Sequence, residues 1–235
     1  MFKIIAMSDL HGYLPNLNEL NYSADLVCIC GDIIPLEHQK SMISSFKWVE
    51  SEFIPWVENM INNHICEKVI FIAGNHDFWL EEVEDKQFKA HIYWYHRNLQ
   101  SKLIYLCNNH YIYKDKIIFG TPYVNMKSSW AFNVSDNKER KTLFNNIPKK
   151  TDILLTHEAP SNMGGVDCST YHFWGDPVLE ETIKNRNIQL CLCGHIHDGN
   201  HTPIEYAEGC KIVNVSLLND HYEACYEPTI IELDD

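Results

Sequence analysis

Asp9 and His11, in the stretch "MSDLHGY", set a carboxylate and an imidazole two residues apart directly after the apolar run "FKIIA". The arrangement recurs along the chain. Gly31 and Asp32 follow "LVCIC", Gly74, Asn75, His76 and Asp77 follow "VIFIA", His157 follows "DILLT", and Gly194, His195 and His197 follow "LCLC". One such cluster carries little weight, since 13 histidines in 235 residues give roughly 0.7 His-x-His pairs by composition alone. A turn aspartate beside a hydrogen-bonded surface histidine is the ordinary alternative for Asp9 and His11. Repetition changes the weighing. Imidazole, carboxylate and amide oxygen suit borderline divalent cations, and the set lacks the paired thiols of an all-cysteine zinc site. Two adjacent cations need a bridging anion to offset their repulsion, and Asp32 is the candidate. Gly31 before it permits a tight turn, although an ordinary loop glycine remains the alternative.

Clusters so far apart in sequence meet only if a scaffold brings strand ends together. "FKIIAM", "DLVCIC" and "EKVIFIAG" are apolar without alternation, as parallel strands covered on both faces are. In an open α/β sheet, ligands bind at the carboxyl ends of such strands. Phe46, Val49, Phe53, Val57 and Met60 recur at helical intervals between residues 41 and 63, with Pro55 kinking or dividing the helix. Residues 81–100 mix charge and aromatics without a clean period and read as an insert bordering the site. "KLIYLCNN", "HYIYKD" and "KIIFGTPY" read as short strands with a turn at "YKDK", and "SDNKERKTLFNNI" as a helix capped by Ser135. "TDILLTH" is a further strand. "DPVLEETIKNRN" is a helix with Asp176 as cap and Pro177 at its first position, and "IQLCLCG" the strand after it. The tail, "TPIEYA", "CKIVNVSLL" and "HYEACYEPTIIEL", reads as strands with turns between, a mixed or antiparallel end to the sheet.

The totals limit what such a site serves. Residues 1–235 are expected to form one domain. A formal charge of −13 opposes tight non-specific binding to nucleic acid, which draws on phosphate neutralisation by Lys and Arg. No run approaches the ~18 apolar residues of a membrane span, so no membrane partner is expected. The start "MFKIIAMSD" lacks a secretory signal pattern, and the nine cysteines, several inside apparent strands, read as buried reduced thiols. A cytoplasmic location follows as the expectation.

Taken in order, "DLH", "GD", "GNHD", "THEAP" and "GHIH" resemble the motif set of the calcineurin-like metallophosphoesterases, from Asp9 to His197. The resemblance implies an α/β protein, a four-layered α/β/β/α sandwich of two mixed sheets. It implies one cation held by Asp9, His11 and His197, another by Asn75, His157 and His195, and Asp32 bridging them. The two divalent ions are expected to be Mn or Fe/Mn, with Zn, Ni or Co as competitors. A water or hydroxide between the ions would attack phosphorus in line, with His76 as the catalytic partner of a substrate oxygen. Asp77 would either orient His76 or simply cap the following helix.

The expected substrate is a small phosphoester, a diester ahead of a monoester or a phosphoprotein. "GNHD" departs from the Gly-Asn-Arg-Asp form of many lipid A precursor hydrolases. Trp79, "YWYH" at 93–96 and "YHFW" at 171–174 offer aromatic surface for a leaving group, or else fill the core. A noncatalytic scaffold on the same fold is the reading from a different class, and metal-dependent turnover separates it from an enzyme. Oligomeric state is open at this level.

Overall fold

In the computed structural model, residues 1–20, 22–169, 172–206 and 209–234 are described. In chain order come β1 (Phe2–Met7), β2 (Ala24–Cys30), α1 (Met42–Trp48), α2 (Ile54–Asn62), β3 (Cys66–Ile72) and α3 (Phe78–Tyr95). Next are β4 (Leu103–Tyr105), β5 (Asn109–Tyr113), β6 (Lys116–Thr121), α4 (Asn137–Phe144) and β7 (Lys150–Thr156). A two-stranded ribbon, β8 (Cys168–Ser169) and β9 (His172–Phe173), precedes α5 (Pro177–Lys184), β10 (Asn187–Cys193), β11 (Ile204–Tyr206), β12 (Cys210–Asn214) and β13 (Thr229–Leu233).

Two sheets result. The first has the order β13-β1-β2-β3-β4, parallel from β1 to β4, with β13 antiparallel on one edge. The second has the order β11-β12-β10-β7-β6-β5, parallel in the middle and antiparallel at both edges. Side chains alternate across each strand, which explains why the central strands are apolar throughout. Val27, Ile29, Val69 and Phe71 pack against Val57 and Met60 of α2 and Phe88 and Ile92 of α3. Leu26, Cys28, Ile70 and Ile72 face the other way and meet Ile153, Leu155, Leu190 and Leu192 of the second sheet. Beyond that sheet, Leu154, Cys191 and Ile212 pack on Phe144 of α4 and Leu179 and Ile183 of α5. The layers are therefore α/β/β/α, as expected.

All nine cysteines are free, six of them buried, and burial pushes the Cys66 thiol up to about 12. The hairpin at "YKDK" is a two-residue turn in which Lys114 and Asp115 both take positive φ, 47° and 60°, which matches the twist of β5 and β6.

The helical run over 41–63 is divided, as expected, with Pro55 in the first turn of α2, and three other local expectations change. A π turn at Val49–Phe53 joins α1 to α2, the Ile54 N–H reaching back to Val49 O, and this widened turn absorbs the donor that proline lacks. Residues 81–100 are not an irregular insert, because most of them lie in α3. Its buried stripe is thin, Trp79, Leu80, Phe88 and Ile92, and the exposed Tyr93, Trp94 and Tyr95 at its end blur the period. Asp136, not Ser135, caps α4, accepting from Glu139 N at 2.9 Å. In the tail "TPIEYA" and "CKIVNVSLL" hold β11 and β12 as expected, whereas of "HYEACYEPTIIEL" only Thr229–Leu233 is strand.

The outer helices of the second sheet are tied by a buried ion pair. Arg140 Nε donates to Asp176 Oδ2 at 2.8 Å with both side chains fully buried, and Asp176 Oδ1 caps α5 at Val178 N. Removing the guanidinium strands a buried carboxylate. Arg140→Met is expected to cost about 3–5 kcal/mol, read as a lowered urea midpoint.

Candidate functional site

The loops after β1, β2, β3, β7 and β10 meet at one end of the two sheets. Asp9 N donates to Gly31 O at 3.0 Å and His11 N to Asp32 O at 2.9 Å, so the first two loops run side by side. Gly194 N donates to His157 O at 3.1 Å, pairing the loops of the second sheet. Ser8 N to Val215 O, Leu217 N to Ser8 O, and His195 N to both oxygens of Asp9 at 3.0 and 3.2 Å join one sheet to the other.

This convergence is tight. Asp9, His11, Asp32 and His195 have left-handed backbones, φ 54°, 41°, 51° and 67°, which non-glycine residues seldom adopt. Such strain persists only where surrounding structure over-determines it. Gly31 takes φ +99°, and a Cβ there would fall 2.7 Å from Ala73 O and His157 Nδ1. A Cβ on Gly74 would press on Asp32 Oδ1 and lie 2.6 Å from Asp32 N and His157 Cε1. Both positions need glycine because side chains of the site occupy the space, and for Gly31 the turn requires it too.

All eight residues singled out from the sequence come together here. Asp9, His11 and His197 converge with donor atoms within 4.8 Å of one another, and so do Asp32, His157 and His195, and His11, Asp32 and His76. Asp32 Oδ2 lies 3.3 Å from His157 Nε2, 3.6 Å from His11 Nε2 and 3.9 Å from His76 Nε2. Asn75 Oδ1 is 2.9 Å from His157 Nε2.

The donor set fits cations. His157 Nδ1 donates to Cys30 O at 2.8 Å, so its Nε2 faces two oxygens, those of Asp32 and Asn75. His197 Nδ1 likewise donates to Asn219 O at 2.9 Å and turns Nε2 toward Asp9 Oδ1 at 3.3 Å. Anchoring one ring nitrogen on a carbonyl is how metal-ligating imidazoles are held. Both ring nitrogens of His11 are buried without a hydrogen-bond partner. A lone pair facing a carboxylate needs a proton or a cation between them.

Without cations, protons fill that role. Burial would lower His157, but the charge and hydrogen bond of Asp32 hold it up at about 10. His197, opposed by burial in the same way, is held at about 9 by Asp9. Burial would raise Asp9 and Asp32, yet the imidazoles keep both below the usual carboxylate range. His11 and His195 go the other way, pushed by burial to about 4 and about 3, and are neutral donors at pH 7.

His76 is fixed separately. Gln39 Oε1 meets its Nδ1 at 2.5 Å, Trp130 lies against the ring at 4.5 Å between centroids, and the His76 N–H donates to Asp32 Oδ1 at 2.8 Å. Gln39 and Trp130 belong to no motif and carry no signal in the sequence. Neither reading of Asp77 holds. It sits at the N-cap position of α3 without a side-chain cap bond, and its fully buried carboxylate instead accepts from Gly74 N at 2.8 Å and from Ile33 N and Ile34 N at 3.0 Å. Burial, then the charge of Asp32, pushes it up to about 7.

Beside His195 opens a cleft of about 730 Å³ lined by Asn125, Met126, Lys127, Glu158, Phe173 and Trp174 among others. Phe173 and Trp174 are exposed and contribute aromatic surface, whereas Trp79 is core, packed on Phe46 and Phe88. Tyr93, Trp94 and Tyr95 are exposed but do not line the cleft, and Tyr171 lies outside the described residues. Tyr222, missed in the sequence, sits edge-on to His11 and His197.

Gly74→Ala tests the packing argument. The added methyl is expected to displace Asp32 and His157 and to lower bound Mn²⁺, measured by elemental analysis, by more than one equivalent relative to the wild type, with the far-ultraviolet circular dichroism unchanged.

The calcineurin-like phosphoesterase profile matches residues 2–199, a span that includes every motif above. The chain is 29% identical over 138 residues to a UPF0046 protein of Caenorhabditis elegans, covering 58% of this chain but only 34% of the nematode protein. It is 26% identical over 249 residues to the human metallophosphoesterase domain-containing protein 1, covering 98% of this chain and 71% of the human one. A crystal structure at 14% identity superposes with a TM-score of 0.62 over 90% of this chain and 89% of its own length, a likeness of fold. With most of its length matched and its aspartates and histidines clustered at the ends of two mixed sheets, the chain belongs to the calcineurin-like phosphoesterase family of metal-dependent hydrolases.

Proposed function

We propose that this enzyme hydrolyses a small phosphodiester using two divalent cations, one held by Asp9, His11 and His197, the other by Asn75, His157 and His195, with Asp32 shared between them. The observation that carries this reading is the position of Asp32, whose Oδ2 lies within 3.6 Å of an imidazole nitrogen from each group. When bound, such cations acidify water and offset the charge that gathers on phosphoryl oxygens. Oxygen and nitrogen donors without thiolate favour Mn²⁺ or an Fe/Mn pair, with Zn²⁺, Ni²⁺ and Co²⁺ as competitors.

The chain's own residues supply the rest. His76, pinned at Nδ1 by Gln39 and backed by Trp130, turns its Nε2 edge to the cluster, where it meets a phosphoryl or leaving-group oxygen. Phe173, Trp174 and Met126 give the neighbouring cleft an apolar wall, and Lys127 gives it a cation. That lining suits the organic arm of a diester better than free phosphate alone. The formal charge of −13 supports a small substrate over a nucleic-acid strand. Among the described residues no helix is long and apolar enough to cross a membrane. Free cysteines agree with a reducing compartment such as the cytosol.

The deciding experiment compares kcat/KM for bis(p-nitrophenyl) phosphate and p-nitrophenyl phosphate on metal-depleted protein reconstituted with Mn²⁺, with Asp32→Ala as the contamination control. Diester preference supports the proposal. Monoester preference turns it into a phosphatase, and full turnover with full metal content in Asp32→Ala removes Asp32 from its shared role. For His76→Ala, intact metal content with kcat lowered roughly 10²–10⁴-fold is the expected result; an unchanged kcat would end its catalytic assignment.

A pH experiment reads the imidazoles directly. In cation-free protein His157 and His197 titrate near 10 and 9, above the free imidazole value of about 6.5. Their contribution to stability is complete below about pH 6.5 and is lost as pH rises through 9 and 10. Thermal melting in chelator is therefore expected to fall across that window. Cations replace those protons, so their stabilising effect should grow over the same range. A melting temperature flat from pH 6.5 to 10 in chelator would contradict the assignment.

A further inference from the structure

A second convergence of metal-binding side chains lies on the helices that cover the first sheet. Glu50, in the π turn between α1 and α2, faces His91 on α3 and His96 at its C-cap. Glu50 Oε1 is 2.8 Å from His91 Nε2 and 3.2 Å from His96 Nε2, and Oε2 is also 3.2 Å from His96 Nε2. All three donor atoms fall within 4.8 Å of one another. Among the described residues Glu50 pairs with no lysine or arginine, so imidazoles are its sole ionic neighbours.

Two imidazoles and one carboxylate form a donor set that suits Zn²⁺ and its borderline neighbours. The 3.2 Å from His96 Nε2 to each Glu50 oxygen is close to the ~3.3 Å between donors on a tetrahedral ion about 2.0–2.1 Å away, and the 2.8 Å from Glu50 Oε1 to His91 Nε2 would open by about half an ångström on binding. The side chains are mostly shielded, between 18% and 29% exposed, and the rings of Phe46 and Tyr95 stand 5.5 and 5.0 Å from that of His91. A half-buried carboxylate facing two nitrogens that are both turned to it is either a pair of hydrogen bonds or a metal cradle. The convergence of both Nε2 atoms, from positions five residues apart on α3, onto one carboxylate from another helix favours the cradle.

We propose that Glu50, His91 and His96 bind a third divalent cation, Zn²⁺ in chemical class, with a fourth position open to water. The ion clips the crossover between β2 and β3 to α3 and so fastens together the helical layer over the first sheet. None of its ligands belongs to the strand-end cluster, so the two assignments stand or fall separately.

The test loads metal-free protein with Zn²⁺, removes excess by dialysis and counts bound metal. The wild type is expected to hold one equivalent more than His96→Gln or Glu50→Gln, two variants serving in case one fails to fold. Asp32→Ala is expected to keep this equivalent, and its melting temperature is expected to rise with Zn²⁺ unless His96→Gln is added. With Co²⁺ in place of Zn²⁺, a visible absorption band lost in His96→Gln would identify imidazole ligation. Equal metal content and identical Co²⁺ spectra in the wild type and both variants would overturn the site and leave a hydrogen-bonded cluster. His96→Gln is expected to keep kcat/KM with Mn²⁺ within about twofold.

Discussion

Two carboxylates, Asp9 and Asp32, sit in the interior with 0% and 1% of their surface exposed, and everything at this end of the molecule answers to their charge. A buried ionised carboxylate without compensation is unstable by several kcal/mol. Here compensation arrives from three directions. Backbone N–H groups of His76 and His195 and the hydroxyl of Ser216 donate to them, and five imidazoles crowd the remaining oxygens. Burial works against protonation of all of them, and the outcome depends on how closely each meets a carboxylate: the charge and hydrogen bond of Asp32 and of Asp9 hold His157 and His197 protonated, while burial prevails at His11 and His195 and leaves them neutral. A constellation that must carry protons when empty is one that divalent cations can fill by exchange.

The scaffold makes that concentration of charge affordable only because it is anchored elsewhere. Four left-handed non-glycine residues at one point each cost about 1–3 kcal/mol. They are held by strands whose two faces are both buried, so a loop that relaxed would have to drag core residues with it. Strained chemistry sits at the strand ends and packing sits in the strands. The register between sheets, set by Ser8 with Val215 and Leu217, carries one to the other.

What was legible in the sequence was what depends on residue type at strand ends. Asp9, His11, Asp32, Asn75, His76, His157, His195 and His197 announced themselves because carboxylates and imidazoles after apolar runs are chemically unusual there. Two layers of sheet were not legible from the runs alone, since a strand covered by helix and sheet has the same apolar pattern as one covered by helices on both sides. The motif order supplied that part through resemblance. Helix α3 was hidden by exposed aromatics, which weaken periodicity without weakening the helix. Gln39 and Trp130 were invisible for a different reason: each acts by standing next to His76, and adjacency across 37 or more residues leaves no trace in local pattern.

Asp77 shows how a motif residue can be essential to geometry without touching the reaction. Its carboxylate spans two loops, with Oδ2 bound to the Gly74 N–H and Oδ1 bound to those of Ile33 and Ile34. Gly74 precedes Asn75 and His76, and Ile33 follows Asp32, so this one side chain sets the distance between the shared carboxylate and the residues it must reach. An amide could not substitute cleanly, because whichever position its NH₂ took would set a donor against a backbone N–H. Burial first, and then the nearness of Asp32, raises the cost of ionising Asp77, while the N–H groups of Ile34 and Gly74 offset part of it, and the balance rests near pH 7. The last letter of "GNHD" is thus a backbone clasp: it holds the β2 loop against the β3 loop, and the chemistry of the preceding residues depends on that hold.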